Sequence, residues 1–249
     1  MKSSNYTLIF ATLFFSMFAA NHAWTKHAST DARALFSETV SQLNHTGGLA
    51  AFDSPNAESL WALGPPTLSP EEIDKILDVV VENLSIVIEL DQSIKEAHYY
   101  LGVAYIKKEE RNEAMAALYR AMEVEPDREM TYTLLIVLLS DAGKFKDALA
   151  VASKYSEHFP RSTASSATMA GHVFLKMGDF DKALKNGIAI LEIDNSSSEG
   201  RILVAASYYC LGNKKAADEQ FKALENDPII KDNIADFKQG LKDRCGEAK

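Results

Sequence analysis

Residues 95–128 read KEAHYYLGVAYIKKEERNEAMAALYRAMEVEPDR. Leu101, Val103, Ala104 and Ile106 follow Tyr99 and Tyr100 at mixed three- and four-residue spacing, the period of a helix with one buried face. KKEERN, 107–112, then makes a polar turn, and Ala114, Ala117, Leu118 and Ala121 resume the helical spacing. Pro126 ends the second run because it has no N–H to donate. The stretch therefore predicts two short helices folded back on each other.

The same pattern returns downstream. EVEPD, EHFPR, EIDNS and ENDPI each close an amphipathic run, and their landmarks Pro126, Pro160, Asn195 and Pro228 are 34, 35 and 33 residues apart. ELDQS places Gln92 another 34 residues upstream. Ala114, Ala148, Ala183 and Ala216 keep the same spacing in phase. Gly143, Gly178 and Gly212 mark the turn before a second helix, and Glu109 stands at that place in the first unit. A fixed period of this length is the signature of stacked helix pairs, none of which can bury its apolar face alone.

These residues resemble the tetratricopeptide repeat family. In 95–128 the Leu101-Gly102 pair, Tyr105, Ala114, Leu118, Ala121 and Pro126 match, and His98 stands where a Trp is expected. In 129–162, Tyr132, Leu135, Phe145, Ala148 and Pro160 match, while Ile136 replaces the Gly and Leu139 the aromatic. In 163–196, Ala170-Gly171, Phe174, the run GDFDKAL and Ala183 match, and Asn195 replaces the Pro. In 197–230, Tyr208, Gly212, Ala216, Ala223 and Pro228 match, with Ala205 at the first-helix Gly. The resemblance implies an all-α fold, an α-solenoid in which antiparallel helix pairs form a right-handed superhelix. Small residues such as Gly102, Gly171 and Ala216 would let paired helices approach, and Leu101, Tyr105, Phe174 and Tyr208 would fill the wedge between units.

The ends read differently. Residues 1–23, MKSSNYTLIFATLFFSMFAANHA, place Lys2 before an uncharged run from Tyr6 to Ala20. That length suits a cleaved export signal and is short for a span of about 30 Å of hydrocarbon. The expectation is an exported chain, periplasmic or secreted, with no stable membrane insertion once the signal is removed. Residues 24–69 form an arm. Within it DARALFSETVSQL is an amphipathic helix and HTGGLAAFDSPNAESLWALGPP is mostly loop. Ser69-Pro70-Glu71-Glu72 is a helix start. The helix that follows completes a partial repeat, 70–94, and the array runs to residue 230. Residues 231–249 supply a capping helix and tail, with Ile230, Ile234, Phe237 and Leu241 on one stripe.

Composition bounds the chemistry. The 249 residues carry 35 acidic and 26 basic side chains, a formal charge of −9, and no segregated basic patch, so nucleic acid is not an expected partner. No GxSxG, phosphate loop, CxxC or HExxH is present, and no catalytic residue, metal or cofactor is expected. The two cysteines, Cys210 and Cys245, lie 35 residues apart at equivalent places in successive helices. Either they bridge and staple the end in an oxidising compartment, or helix axes about 8–10 Å apart hold them separate as thiols.

The resemblance also implies a binding face. Relatives line the concave surface with the second, fifth, ninth and twelfth residues of each first helix. Here those are Glu96, Tyr99, Val103 and Ile106; Met130, Thr133, Val137 and Ser140; Ser165, Thr168, His172 and Leu175; Glu199, Ile202, Ala206 and Tyr209. The Lys and Asn that clamp a peptide carboxylate in some relatives are missing. An apolar groove built on Tyr99, Val103, Ile106, Thr133, Val137, Thr168, His172, Leu175, Ile202 and Tyr209 suits an amphipathic helix or extended apolar peptide. The expected function is a non-enzymatic scaffold for a protein or peptide partner in the cell envelope. The alternatives are self-association into a homo-oligomer, an apolar small molecule or lipid in the groove, or a groove covered by the chain's own arm.

Overall fold

Helix after helix makes up the computed structural model, which describes residues 29–46, 68–225, 227, 230 and 233–246; no strand occurs among them. The signal-like stretch 1–23 and residues 47–67, most of the segment expected to be loop, lie outside the described residues. The helices fall into two units, residues 1–125 and 126–249. No described helix is long and apolar enough to cross a membrane.

In the first unit, α1 spans 29–45. It is followed by α2 (Pro70–Leu90), α3 (Glu96–Lys107) and α4 (Arg111–Val124). α2 begins with a reciprocal capping box: Ser69 N donates to Glu72 Oε2 at 2.8 Å and Glu72 N to Ser69 Oγ at 3.3 Å. Its buried face is Leu77, Val80, Leu84 and Val87, spaced at helical period. Each such side chain taken from water contributes roughly 1.5–3 kcal/mol. α1 buries Ala32, Thr39 and Leu43.

The placement of α1 completes the half-unit expected at 70–94. Ser29 Oγ donates to Asp91 Oδ2 at 2.5 Å, just beyond the end of α2. Gln42 and His45, at the other end of α1, share a surface hollow with Lys75, Ile76 and Val79 near the start of α2. α1 and α2 are therefore antiparallel. Phe36 packs on Tyr100 with ring centroids 5.5 Å apart, and Lys107 Nζ donates to the Thr46 carbonyl at 3.4 Å. α1 thus runs parallel to α3, as one first helix runs beside the next.

The second unit holds α5 (Glu129–Asp141), α6 (Phe145–His158), α7 (Thr163–Met177), α8 (Phe180–Ile193), α9 (Ser198–Cys210), α10 (Lys214–Leu224) and α11 (Ile234–Cys245). Tyr132, Tyr155 and Phe159 form an aromatic knot with centroids 4.8–5.8 Å apart. Close approach depends on glycine: a Cβ on Gly171 would stand 2.7 Å from Leu203 Cδ1. The last core joins Phe221 and Leu224 of α10 with Ile234 and Leu241 of α11.

One turn is built the same way in every pair from α3 to α10. The residue after the turn donates its N–H to the carbonyl five back: Glu110 to Tyr105, Lys144 to Leu139, Asp179 to Phe174 and Asn213 to Tyr208, at 2.8–3.0 Å. The residue before it is left-handed: Gly143, Gly178 and Gly212 at φ 71°, 85° and 83°, and Glu109 at φ 60°. Glu109 is the sole non-glycine residue with positive φ among those described.

Two packing expectations need correction. Ala216 is only half-buried, and the fully buried small residue of α10 is Ala217, which sits 34 residues after Ala183. Leu101, Tyr105, Phe174 and Tyr208 are partly exposed, so the large buried side chains of these units are instead Tyr99, Tyr132, Tyr155, Phe221 and Leu118. Period alone locates the inner face of a helix, but which inner residue is sealed depends on the neighbour that arrives.

Candidate functional site

The second unit contains a cavity of about 480 Å³. It is lined by Thr133, Ile136 and Val137 of α5, Ala164, Ser165, Thr168, Met169 and His172 of α7, Ile190 of α8, and Ser197 and Glu199 at the start of α9. Thr133 and Val137 are the fifth and ninth residues of α5, and Thr168 and His172, 35 residues further on, take the equivalent places of the next repeat in α7. Helical period puts each pair on one stripe, and stacking sets the stripes side by side.

The walls are apolar. Val137 is 48% exposed, an unusual fraction for a large aliphatic residue flanked by buried Ile136 and Leu138. The threonine hydroxyls turn inward to their own backbone: Thr168 Oγ1 donates to the Ala164 carbonyl at 2.9 Å and Thr133 Oγ1 to Glu129 at 3.5 Å. Their methyls remain for apolar contact.

The polar groups stand at the rim. Glu199 lies in the first turn of α9, where the helix dipole favours its charge, and accepts from Ser197 Oγ at 3.3 Å. His172 is exposed at its edge, yet surrounding protein disfavours its imidazolium and holds its pKa below the ordinary value. Lys176 adds to that depression and Glu199 opposes it. Lys176 is itself paired with Asp141. No cluster of metal-binding side chains occurs among the described residues.

The remaining groove candidates are elsewhere. Tyr99 and Val103 are wholly buried and offer no surface to a partner; Ile106 is half-buried. Their helix, α3, carries α1 along its side, which the repeat spacing did not reveal. Leu175, Ile202 and Tyr209 pack with the core that receives α11. Arg244 Nη2 donates to the Leu175 and Lys176 carbonyls at 2.8 and 2.6 Å, fastening that helix to the end of α7. Cys210 and Cys245 are bridged, with Cα atoms 5.2 Å apart. Both are the last residues of their helices, α9 and α11, where the two ends converge more closely than parallel axes would.

The groove positions did not include Ile136, Ala164, Met169, Ile190 and Ser197. Ile136 carried a signal: it occupies the place of Gly102 and Gly171 in the neighbouring units, so a side chain must project where a bare backbone was expected. Ile190 and Ser197 belong to a second helix and a connection, outside any first-helix count.

The family model described as tetratricopeptide repeat matches residues 95–128. A tetratricopeptide repeat protein of Parabacteroides merdae is similar in structure, with 18% identity, 70% of this chain and 72% of that one covered, and a TM-score of 0.56. YrrB, described as a tetratricopeptide repeat protein with an unusual peptide-binding site, gives 21% identity, 66% and 84% coverage, and a TM-score of 0.51. MamA gives 15% identity, 71% and 98% coverage, and a TM-score of 0.52. No curated protein matches this chain. The chain thus carries one matched tetratricopeptide repeat, at residues 95–128, and its other helix pairs repeat the same landmarks in a fold like that of these proteins.

Proposed function

We propose that this protein is a scaffold that binds a protein or peptide segment and makes or breaks no bonds. The observation that carries the reading is the 480 Å³ apolar cavity, walled by first-helix stripes of successive repeats. Exposed Val137 and the methyls of Thr133 and Thr168 would bury apolar anchors of the partner. The rim groups would set orientation.

Export to a periplasm or the outside of the cell is part of the same proposal. The uncharged run from Tyr6 to Ala20 supports it, as does a cystine, which persists in oxidising compartments. The test is affinity capture from envelope extract, comparing the natural chain with a Val137→Glu plus His172→Glu variant. Loss of specific partners in the variant is expected. Identical partner sets would remove the groove from the function.

The cavity volume also falls in the range of small-ligand sites, roughly 300–1,000 Å³. That favours an apolar small molecule or lipid as the second reading. Native mass spectrometry of the purified chain decides it: a co-purifying lipid lost in the same variant supports the ligand reading, and a bare mass excludes it.

A further inference from the structure

The geometry points to one class of occupant for this cavity: an amphipathic helix that carries lysine or arginine beside its apolar anchors. The inference rests on the groove reading above and specifies its partner.

The rim charge is the first argument. Glu199 is exposed, stands in the first turn of α9, and has Ser197 as its contact. No ion pair engages it among the described residues. The neighbouring cation, Lys176, is committed to Asp141. His172 is biased toward its neutral form. The rim therefore presents one uncompensated negative charge beside an apolar floor. An acidic segment would set like charge against Glu199 with nothing to neutralise it, whereas a cation would find a free carboxylate.

The second argument is the chain's own α11. The α7 stripe that lines the cavity with Thr168 and His172 continues to Leu175. At Leu175 it packs in the core built with Ile234 and Leu241 of α11, against which Phe237 also lies. These are the apolar side of an amphipathic helix, and its Arg244 ties down by donating to the Leu175 and Lys176 carbonyls. The end of that stripe is thus already met, in cis, by a helix with an apolar side and a basic residue at its edge. The cavity is the next stretch of the same stripe.

The test uses the full chain and two fluorescent, acetylated and amidated 14-residue helical probes. Both carry leucine at i, i+3 and i+7; flanking positions are lysine in one and glutamate in the other. Anisotropy titrations are run with the natural chain, Glu199→Gln, Asp218→Asn as a remote acidic control on α10, and Val137→Glu. The lysine probe is expected to bind the natural chain more tightly. Glu199→Gln should cut that preference about three- to fivefold, the scale of one exposed charge pair. Asp218→Asn should leave it unchanged, and Val137→Glu should weaken both probes. A preference unaltered by Glu199→Gln, or altered equally by Asp218→Asn, overturns the charge assignment while the groove stands. Failure of both probes to bind overturns the groove reading and this inference with it.

Discussion

Gly102 lies so close to Leu118 across the α3–α4 pair that a Cβ on it would stand 2.7 Å from Leu118 Cγ and 2.8 Å from Cδ2. Leu118 is itself wholly buried and has little room to withdraw. Gly102→Ala should therefore force the helices apart and destabilise the chain by about 1–3 kcal/mol. Gly240, in the middle of α11, has nothing within 4 Å of its virtual Cβ. Gly240→Ala should instead stabilise by about 0.5–1 kcal/mol, because alanine loses less freedom in a helix. Urea unfolding of both variants checks the sign. Equal effects would mean that the α3–α4 approach does not depend on the missing side chain.

Glu109 holds a left-handed conformation that its three counterparts fill with glycine. An L-side chain in that region costs roughly 1–2 kcal/mol, and part of the relief is lost to glycine's greater freedom when unfolded. Glu109→Gly is expected to raise stability by up to about 1 kcal/mol. Gly178→Ala, at φ 85°, is expected to lower it by about the same amount. Thermal unfolding of the pair tests the turn geometry directly, and a destabilised Glu109→Gly would show that Glu109 makes a contact worth more than its strain.

These turns and the Ser69 cap were legible because each is a local event, written within five residues of the place it acts. The role of α1 was not. Its partner α2 begins at Pro70, and residues 46–69 between them break the 34-residue period, so spacing could not pair them. The fate of the groove positions was illegible for a related reason. Tyr99 and His172 occupy equivalent faces of their helices, yet one is sealed and the other exposed. The difference lies in which distant helix covers the face, and helical period carries no record of that. Leu175 and Tyr209 were likewise taken by α11 from beyond the last repeat.

The bridge between Cys210 and Cys245 closes a loop of 35 residues over α10 and α11. Constraining a loop of that size in the unfolded chain stabilises by about 3–4 kcal/mol in the entropic account. Replacing both cysteines by serine should lower the melting temperature by several degrees. The loss should fall on the end of the second unit: hydrogen exchange should quicken in α11 and around Leu175, while Tyr132 and Tyr155 stay protected. Arg244→Ala should reproduce part of that local effect with the bridge intact. Uniform loss of protection through the second unit would instead mean that α11 is not a separately opening element.

Acid should destabilise the chain in two stages. His98 is half-buried, and burial first, then the charge of Arg120, pushes its pKa below the ordinary 6.5. His172 is lowered as well, by surrounding protein and Lys176 against the pull of Glu199. The unfolded chain thus takes up protons at these sites more readily than the folded one. Their contribution is whole above about pH 6.5 and shrinks as pH falls through that value toward the lower folded pKa. Asp91, held low chiefly by the Ser29 hydroxyl, and Asp194, held low chiefly by Ser196, act later. Their stabilisation is present above the ordinary carboxylate range and is lost as pH falls through their depressed folded values. Unfolding free energies measured between pH 7.5 and about 3 should show both declines. His98→Gln should flatten the segment between about pH 7 and 5.5 without moving the acidic one, and an unchanged slope there would show that His98 titrates alike in both states.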